Sequence, residues 1–272
     1  MLAASSRLRL SKGDEADELS SLPHFFAIWG KIMDKVVVYT GQRPFYEDMV
    51  TAIKSLLYNT KIDRIYLMIE DDEFPHSMPS FVKAVNAEKF EFFSKNSPNY
   101  NNPWSHMLLN RVAFSKIFPE EDVILSMDVD AIVDRDISPI WDYPIEKYYV
   151  AGVPEVKKSK NGNVYINYGV ALLNLKKIRE SGIDDRMIQH LNTNRQFAID
   201  QDTVNKFCKG SILAIPSEYN SNDFTEKCEE PRVVHFAGRG EYFTWGKESW
   251  RDETVVVKYR EMPWWIVTQG NK

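Results

Sequence analysis

From Lys35 onward the chain alternates between two hydrophobic rhythms. Short runs rich in Val, Ile, Phe and Tyr occur at Lys35–Thr40, Arg64–Ile69, Phe90–Phe93, Asp122–Met127, Tyr148–Val153, Val164–Leu175, Ser211–Ile215 and Arg232–Phe236. β-Branched and aromatic side chains suit a pleated, covered surface, so these runs predict strands. Between several of them apolar residues recur three or four positions apart, at Tyr46–Leu57 and at Trp104–Phe118, where positions 104, 107, 108 and 112 are apolar. That spacing predicts helices. Strand and helix in alternation point to an α/β fold, a mostly parallel, Rossmann-like central sheet flanked by helices. Lys160-Asn161-Gly162-Asn163 is a hairpin signal and predicts a small antiparallel insertion.

The first 32 residues break this rhythm. The stretch SSRLRLSKGDEADELSSL is polar, Ser-rich and charged, and has no apolar core of the kind a signal peptide needs. Residues 1–32 are expected to be an extension, flexible, an added leader or a partner-binding segment, with residues 33–272 forming one domain.

Composition narrows the partners. Of 272 residues, 43% are hydrophobic, enough for a sizeable core. Charged residues make up 27%, the net charge is −5 and the signs are mixed, so no basic stripe offers itself to nucleic acid. No stretch approaches the roughly 18–20 apolar residues of a membrane helix. Two cysteines, Cys208 and Cys228, are too few for a disulfide framework and fit a reduced, cytoplasmic setting.

The run ILSMDVDAIV (residues 124–133) places two acids where an apolar strand ends. In doubly wound sheets ligands gather beyond the carboxyl ends of strands. Alternate residues of an extended chain point the same way, so Asp128 and Asp130 can face one point. Two carboxylates that close repel unless a cation lies between them, and hard divalent cations take such oxygen ligands together with substrate phosphates. A pair of solvated acids is the alternative reading.

At this point the chain resembles the family 8 glycosyltransferases, the glycogenin and bacterial galactosyl- and glucosyltransferase group. The resemblance is carried by RVAFSKIFPEEDVILSMDVDAIVDRDISPIW, INYGVALLNLKKIRESG, DQDTVNKF, HFAG with GKESW, and VVVYTG with KSLLYNT, in the family's order over roughly residues 35 to 250. It implies a GT-A fold and retaining transfer of a hexose, glucose or galactose, from a UDP-sugar, with Mn²⁺ (Mg²⁺ the alternative). By matching position, Asp128, Asp130 and His235 would be the metal ligands. An imidazole beside carboxylates favours Mn²⁺ over Mg²⁺.

The resemblance implies further roles. Thr40, Tyr46 and Val129 would meet the nucleotide, with Tyr46 a candidate to stack on uracil. Gly238, Gly240 and Lys247 would approach the phosphates, although Glu248-Ser249 replaces the usual proline and the spacing from Gly238 is longer. Arg111 falls on the inward stripe of its helix with Met107, Leu108 and Ser115, and a buried arginine requires an anionic partner. That partner is the sugar nucleotide, Asp128 or Asp200. Asn167, Asp200 and Gln201 would face the donor sugar. Glutamine is a poor nucleophile, which favours front-face attack by the acceptor, with Gln201 steadying the developing positive charge; Asp202 is expected to cap its helix.

Two rival classes remain at this level: a catalytically inactive nucleotide-sugar-binding module, and a metal-dependent nucleotidyl or phosphoryl transferase. The acceptor, whether glycan, protein or small molecule, leaves no mark in the sequence. None of the 13 tyrosines is singled out for self-glycosylation.

Overall fold

The computed structural model describes residues 33–101, 106–160, 162–237 and 250–268; the expected extension at 1–32 lies outside them. The strands are β1 (Val36–Thr40), β2 (Arg64–Ile69), β3 (Val82–Asn86), β4 (Val123–Met127), β5 (Ala131–Val133), β6 (Val150–Pro154), β7 (Ile166–Asn174), β8 (Ile212–Ala214) and β9 (Val233–His235). The α-helices are α1 (Tyr46–Asn59), α2 (Phe114–Ile117), α3 (Leu175–Ser181), α4 (Ile183–Thr193), α5 (Ile199–Phe207), α6 (Thr254–Arg260) and α7 (Trp264–Val267).

Seven strands form one sheet in the order β3-β2-β1-β4-β7-β6-β8. Its pairs are parallel except where β7 runs against β4 and β6. This is the expected mostly parallel sheet. β6 and β7 form the antiparallel pair signalled by the turn, where Asn163 N–H donates to Lys160 O and Gly162 takes φ 76°. β5 and β9 make a separate two-stranded antiparallel sheet.

Burial follows position in the sheet. All nine residues of β7, INYGVALLN, are buried. A central strand covered on both faces has no reason to alternate, so its sequence reads as one apolar run interrupted by functional polar residues. At its end Asn174 accepts the amide of Lys177 at 2.9 Å and starts α3, which stops at Gly182 in the left-handed region (φ 63°). On α1, Glu47 and Asp48 in the first turn complement the helix dipole, and Asp48 also pairs with Arg251 at 2.8 Å. Asn59, at the other end, donates to Tyr259 Oη at 2.8 Å, tying α6 to α1.

Two sequence expectations are corrected. Phe90–Phe93 is not a strand; Phe90, Phe92 and Phe93 are partly buried anchors that pin a loop to the core. The edge strand is β3, whose VKAVN has few large apolar residues because an edge position buries little. The segment read as one helix over Trp104–Phe118 is a 3₁₀ helix at His106–Ala113 followed by the single turn of α2, and Trp104 lies outside the described residues. Met107, Arg111 and Ser115 nonetheless face inward.

Candidate active site

β4 ends at Met127, and Asp128 extends its ladder with β7 by one bond, its N–H donating to Gly169 O at 2.7 Å. The chain then turns, with Ala131 N–H donating to Asp128 O at 3.2 Å, and leaves as β5. The two acids therefore converge through a turn, not through the pleat of an extended strand as expected. β9 pairs with β5 so that His235 stands opposite Ala131, and Phe236 N–H donates to Asp130 O at 3.0 Å. The strand-end histidine was anticipated; the small separate sheet that carries it to the acids was not.

The imidazole Nε2 lies 3.5 Å from Asp128 Oδ2 and 3.3 Å from Asp130 Oδ1. One ligand atom from each of the three residues falls within 4.8 Å of the others. Atoms about 2.1 Å from a shared ion at near-octahedral angles lie roughly 3 Å apart, so the three side chains fit one divalent cation. Nδ1 is engaged elsewhere, 2.8 Å from Asn220 Oδ1. The mixture of imidazole and carboxylate suits a divalent transition metal.

Room for the imidazole comes from Gly169, where a β-carbon would overlap the His235 ring. Arg111 holds Asp128 from the other side, Nη1 to Oδ1 at 2.6 Å, and donates from Nη2 to Tyr168 O at 2.6 Å. Its Nε is 3.1 Å from Asp200 Oδ2, near enough for charge attraction but too bent for a hydrogen bond. Arg111 is 4% exposed and Asp200 6%. The expected anionic partner of Arg111 is thus both acids at once, and Asp200 faces the arginine.

Electrostatics follow this wiring. Burial would raise the pKa of Asp128, but Arg111 and His235 outweigh it and hold the carboxyl at about 2. Burial, reinforced by the charge of Asp128, lifts Asp200 to about 6 against the pull of Arg111. Burial opposes an imidazolium at His235, yet Asp130 and Asp128 prevail and raise it to about 9. Without a metal, a proton on His235 takes the place of the cation that the two acids require.

Beside this cluster lies a bed of amides. Gln201 accepts the amide of Tyr168 at 3.0 Å and donates from Nε2 to Glu155 Oε1 at 2.9 Å and to Tyr165 Oη at 3.3 Å. Asn167 donates to the same Glu155 oxygen at 3.2 Å. Asp202 is not the residue that opens α5, which begins at Ile199 with Ala198 before it; from inside the helix its Oδ2 accepts the amide of Ala198 at 2.9 Å. Glu155, Asn220 and Gly169 were not singled out in the sequence. Glu155 follows a strand's carboxyl end, as Asp128 does, so the rule that flagged the acid pair applies to it as well.

Thr40 ends β1, and its Oγ1 is buried without a hydrogen-bond partner. Val129 packs close by, its Cγ1 3.3 Å from where a β-carbon on Gly41 would sit. Tyr46 is placed differently from its expected role. Its hydroxyl donates to Asp71 at 2.9 Å, its ring lies 5.1 Å from that of Phe74, and it is 6% exposed, so stacking on a base would require a face that is covered. Gly238, Gly240 and Lys247 lie outside the described residues.

Comparison with known proteins gives the family and the fold. Glycosyltransferase GlyD of Streptococcus pneumoniae is 23% identical over 261 residues, covering 86% of this chain and 30% of that protein. Glycosyltransferase GlyE of the same organism is 26% identical over 200 residues, covering 68% of this chain and 47% of that protein. The chain thus spans between about a third and a half of the length of these two relatives. Among solved structures, the galactosyltransferase LgtC, in complex with donor and acceptor sugar analogues, superposes with a TM-score of 0.62 at 18% identity, covering 87% of this chain and 100% of that one. That likeness is one of fold, and the fold is GT-A. Residues 36–241 match the profile of glycosyl transferase family 8, and the chain belongs to that family.

Proposed function

We propose that this glycosyltransferase moves a hexose, glucose or galactose, from a UDP-sugar to an acceptor with retention of configuration, using Mn²⁺ held by Asp128, Asp130 and His235. The observation that carries the reading is the convergence of those three side chains beside the Gln201–Asn167–Glu155 bed. Mn²⁺ there would offset the negative charge that builds on the diphosphate as the sugar departs.

The chain's own residues supply the rest. Arg111 keeps Asp128 ionised and leaves its Oδ2 directed at His235. Thr40, at the end of β1, and Val129 beside it are assigned to the nucleotide from the family resemblance. Gln201, half-buried, is the amide assigned to the donor sugar, where hydrogen bonding separates epimers, while Asn167, buried and bonded at both ends of its amide, holds Glu155 beside it. Gln201 is backed by the Glu155 carboxylate, which lends negative potential to a developing oxocarbenium ion without being free to attack, since Asn167, Gln201 and Lys158 all bind it. The acceptor then enters from the front face and gives its proton to the leaving diphosphate. Gly238 and Lys247 enter this scheme from the family resemblance alone.

The two free cysteines, Cys208 buried and Cys228 half-buried, fit the cytoplasmic setting we assign to it. Among the described residues no helix is long and apolar enough to cross a membrane. Residues 33–272 are taken as a single catalytic unit.

The test is UDP release from UDP-glucose and UDP-galactose in the presence of Mn²⁺. Release should depend on the metal and vanish in Asp130→Ala. No release from any nucleotide sugar would favour a binding module, and release that survives Asp130→Ala would overturn the metal assignment.

A further inference from the structure

An unbroken line of side-chain hydrogen bonds runs from His235 to Glu155. Asn220 Oδ1 faces His235 Nδ1 at 2.8 Å and also accepts Asn222 Nδ2 at 3.1 Å. Asn220 Nδ2 donates to Asn167 Oδ1 at 2.9 Å, an oxygen that also accepts the amide of Gly169 at 3.1 Å. Asn167 Nδ2 donates to Glu155 Oε1 at 3.2 Å, and Gln201 Nε2 donates to the same atom at 2.9 Å. Asn220 is 0% exposed, Asn167 5% and Glu155 5%, so water does not substitute for these partners.

Each amide has one donating and one accepting end, so in an enclosed line the orientation of one dictates the next. An ionised carboxylate only accepts. Glu155 therefore draws the NH₂ groups of Asn167 and Gln201 towards itself. Asn167 then shows its carbonyl to Asn220, which must meet it with NH₂. The carbonyl of Asn220 is left facing His235 Nδ1 at 2.8 Å, where a lone pair on the ring nitrogen would repel it and an Nδ1–H donates to it. Nε2 is left outside this line, facing Asp128 and Asp130. A metal-binding histidine is commonly fixed by such a bond at its other nitrogen, but here the anchoring charge stands two amides away.

We infer that Glu155 is a positioning residue which, acting through Asn167 and Asn220, fixes His235 in the form that binds metal through Nε2 and with the same oxygen orients Gln201. One buried carboxylate thereby sets both the metal half and the sugar half of the site. The inference rests on the Mn²⁺ reading above.

The test is Mn²⁺ titration, followed by the electron paramagnetic resonance of the free ion, with and without UDP, alongside melting curves. Wild type should bind, and Asp130→Ala should not. Asn220→Leu removes the acceptor for Nδ1–H, and Glu155→Leu releases both amides; each should bind about 10- to 100-fold more weakly. Glu155→Gln keeps a carbonyl oxygen at the shared point and turns its NH₂ to Lys158, whose side chain is 46% exposed and can swing aside. It should bind within about threefold of wild type. Folded leucine variants that bind like wild type, or a Glu155→Gln as weak as Glu155→Leu, would overturn the inference while leaving the metal site intact. If wild type itself does not bind, or Asp130→Ala binds equally, the metal reading fails and this inference with it. A measurement on wild type needs no variant: with Zn²⁺ as a diamagnetic probe, the ¹⁵N shifts of His235 should show Nδ1 protonated and Nε2 metal-bound. Metal at Nδ1 overturns the relay.

Discussion

The imidazole of His235 rests directly on the backbone of Gly169, so close that a β-carbon at 169 would overlap Cε1 and come within 2.7 Å of Nδ1 and 2.8 Å of Nε2. Gly169 also receives the amide of Asp128 at 2.7 Å, so one residue sets the spacing between a metal-ligand candidate on each side. Neither ring nor strand can yield cheaply, since both are buried. Gly169→Ala should therefore push His235 away from Asp128 and Asp130. The expected result is Mn²⁺ affinity at least about tenfold weaker and a stability loss of about 1–3 kcal/mol from overpacking. Mn²⁺ titration and urea melts read the two effects, and wild-type Mn²⁺ affinity in Gly169→Ala would contradict the packing argument.

Arg111 sits between two acids with its guanidinium enclosed. Removing one partner of a buried charge pair costs about 3–5 kcal/mol, because the remaining charges lose their compensation. Arg111→Met should destabilise by that amount and raise the pKa of Asp128, weakening Mn²⁺ binding at neutral pH. Arg111→Lys should recover little of it, since an ammonium cannot span Asp128, Asp200 and the Tyr168 carbonyl in one plane. Chemical denaturation of the two variants checks the ranking; equal stability of Arg111→Lys and wild type would show that charge alone, not the fork, matters here.

In the metal-free protein the acids hold His235 at about 9, above its ordinary value near 6.5. A group whose folded pKa is raised stabilises the fold in its protonated form. That contribution is complete below pH about 6.5 and is lost as pH rises through about 9. The metal-free melting temperature should fall across this window, and His235→Asn should flatten the fall. A metal at Nε2 must displace this proton, so binding at pH 7.5 should release about one proton, fading above pH 9. Calorimetry in buffers of different ionisation enthalpy measures it; a heat of binding that does not change with buffer would rule the displacement out.

How much of this was legible beforehand differs by residue for physical reasons. β1, β2, β4 and β7 are buried central strands, and their continuous apolar runs announce them. Asp128 and Asp130 stand out because acids next to such runs need a reason. β3 was missed, and Phe90–Phe93 taken in its place, because composition reports which side chains are buried and not whether their backbone pairs. Asn220, in SEYNSND, reads as a turn, and nothing local says that its amide meets His235 fifteen positions later. Gly169 lies inside a recognised block, yet the need for a missing side chain arises only when the His235 ring comes to rest against it. Tyr46 kept its place at the carboxyl end of the sheet, but Asp71 and Phe74, distant in sequence, claim its hydroxyl and ring.

Gln201 and Glu155 make the last prediction sharp, because the amide nitrogen lies 2.9 Å from a buried carboxylate oxygen. Gln201→Ala removes the amide and should lower kcat by at least about tenfold, with the donor KM within a few-fold of wild type, if Gln201 acts on the developing charge more than on the bound donor. Gln201→Glu is the harsher change at neutral pH. It replaces a donor by a second carboxylate against Glu155, and two acids that close cannot both ionise, so one must take up a proton. Its pKa in the fold would lie above its unfolded value, and the variant's stability deficit should therefore be small near pH 4.5 and grow as pH rises through the shared pKa. Melting temperatures of Gln201→Glu and Gln201→Ala recorded from pH 4.5 to 8.5 should diverge with increasing pH, the glutamate variant falling below the alanine one. Parallel curves would mean that the new carboxylate has turned away from Glu155, and that Gln201 is not held as tightly as its three hydrogen bonds require.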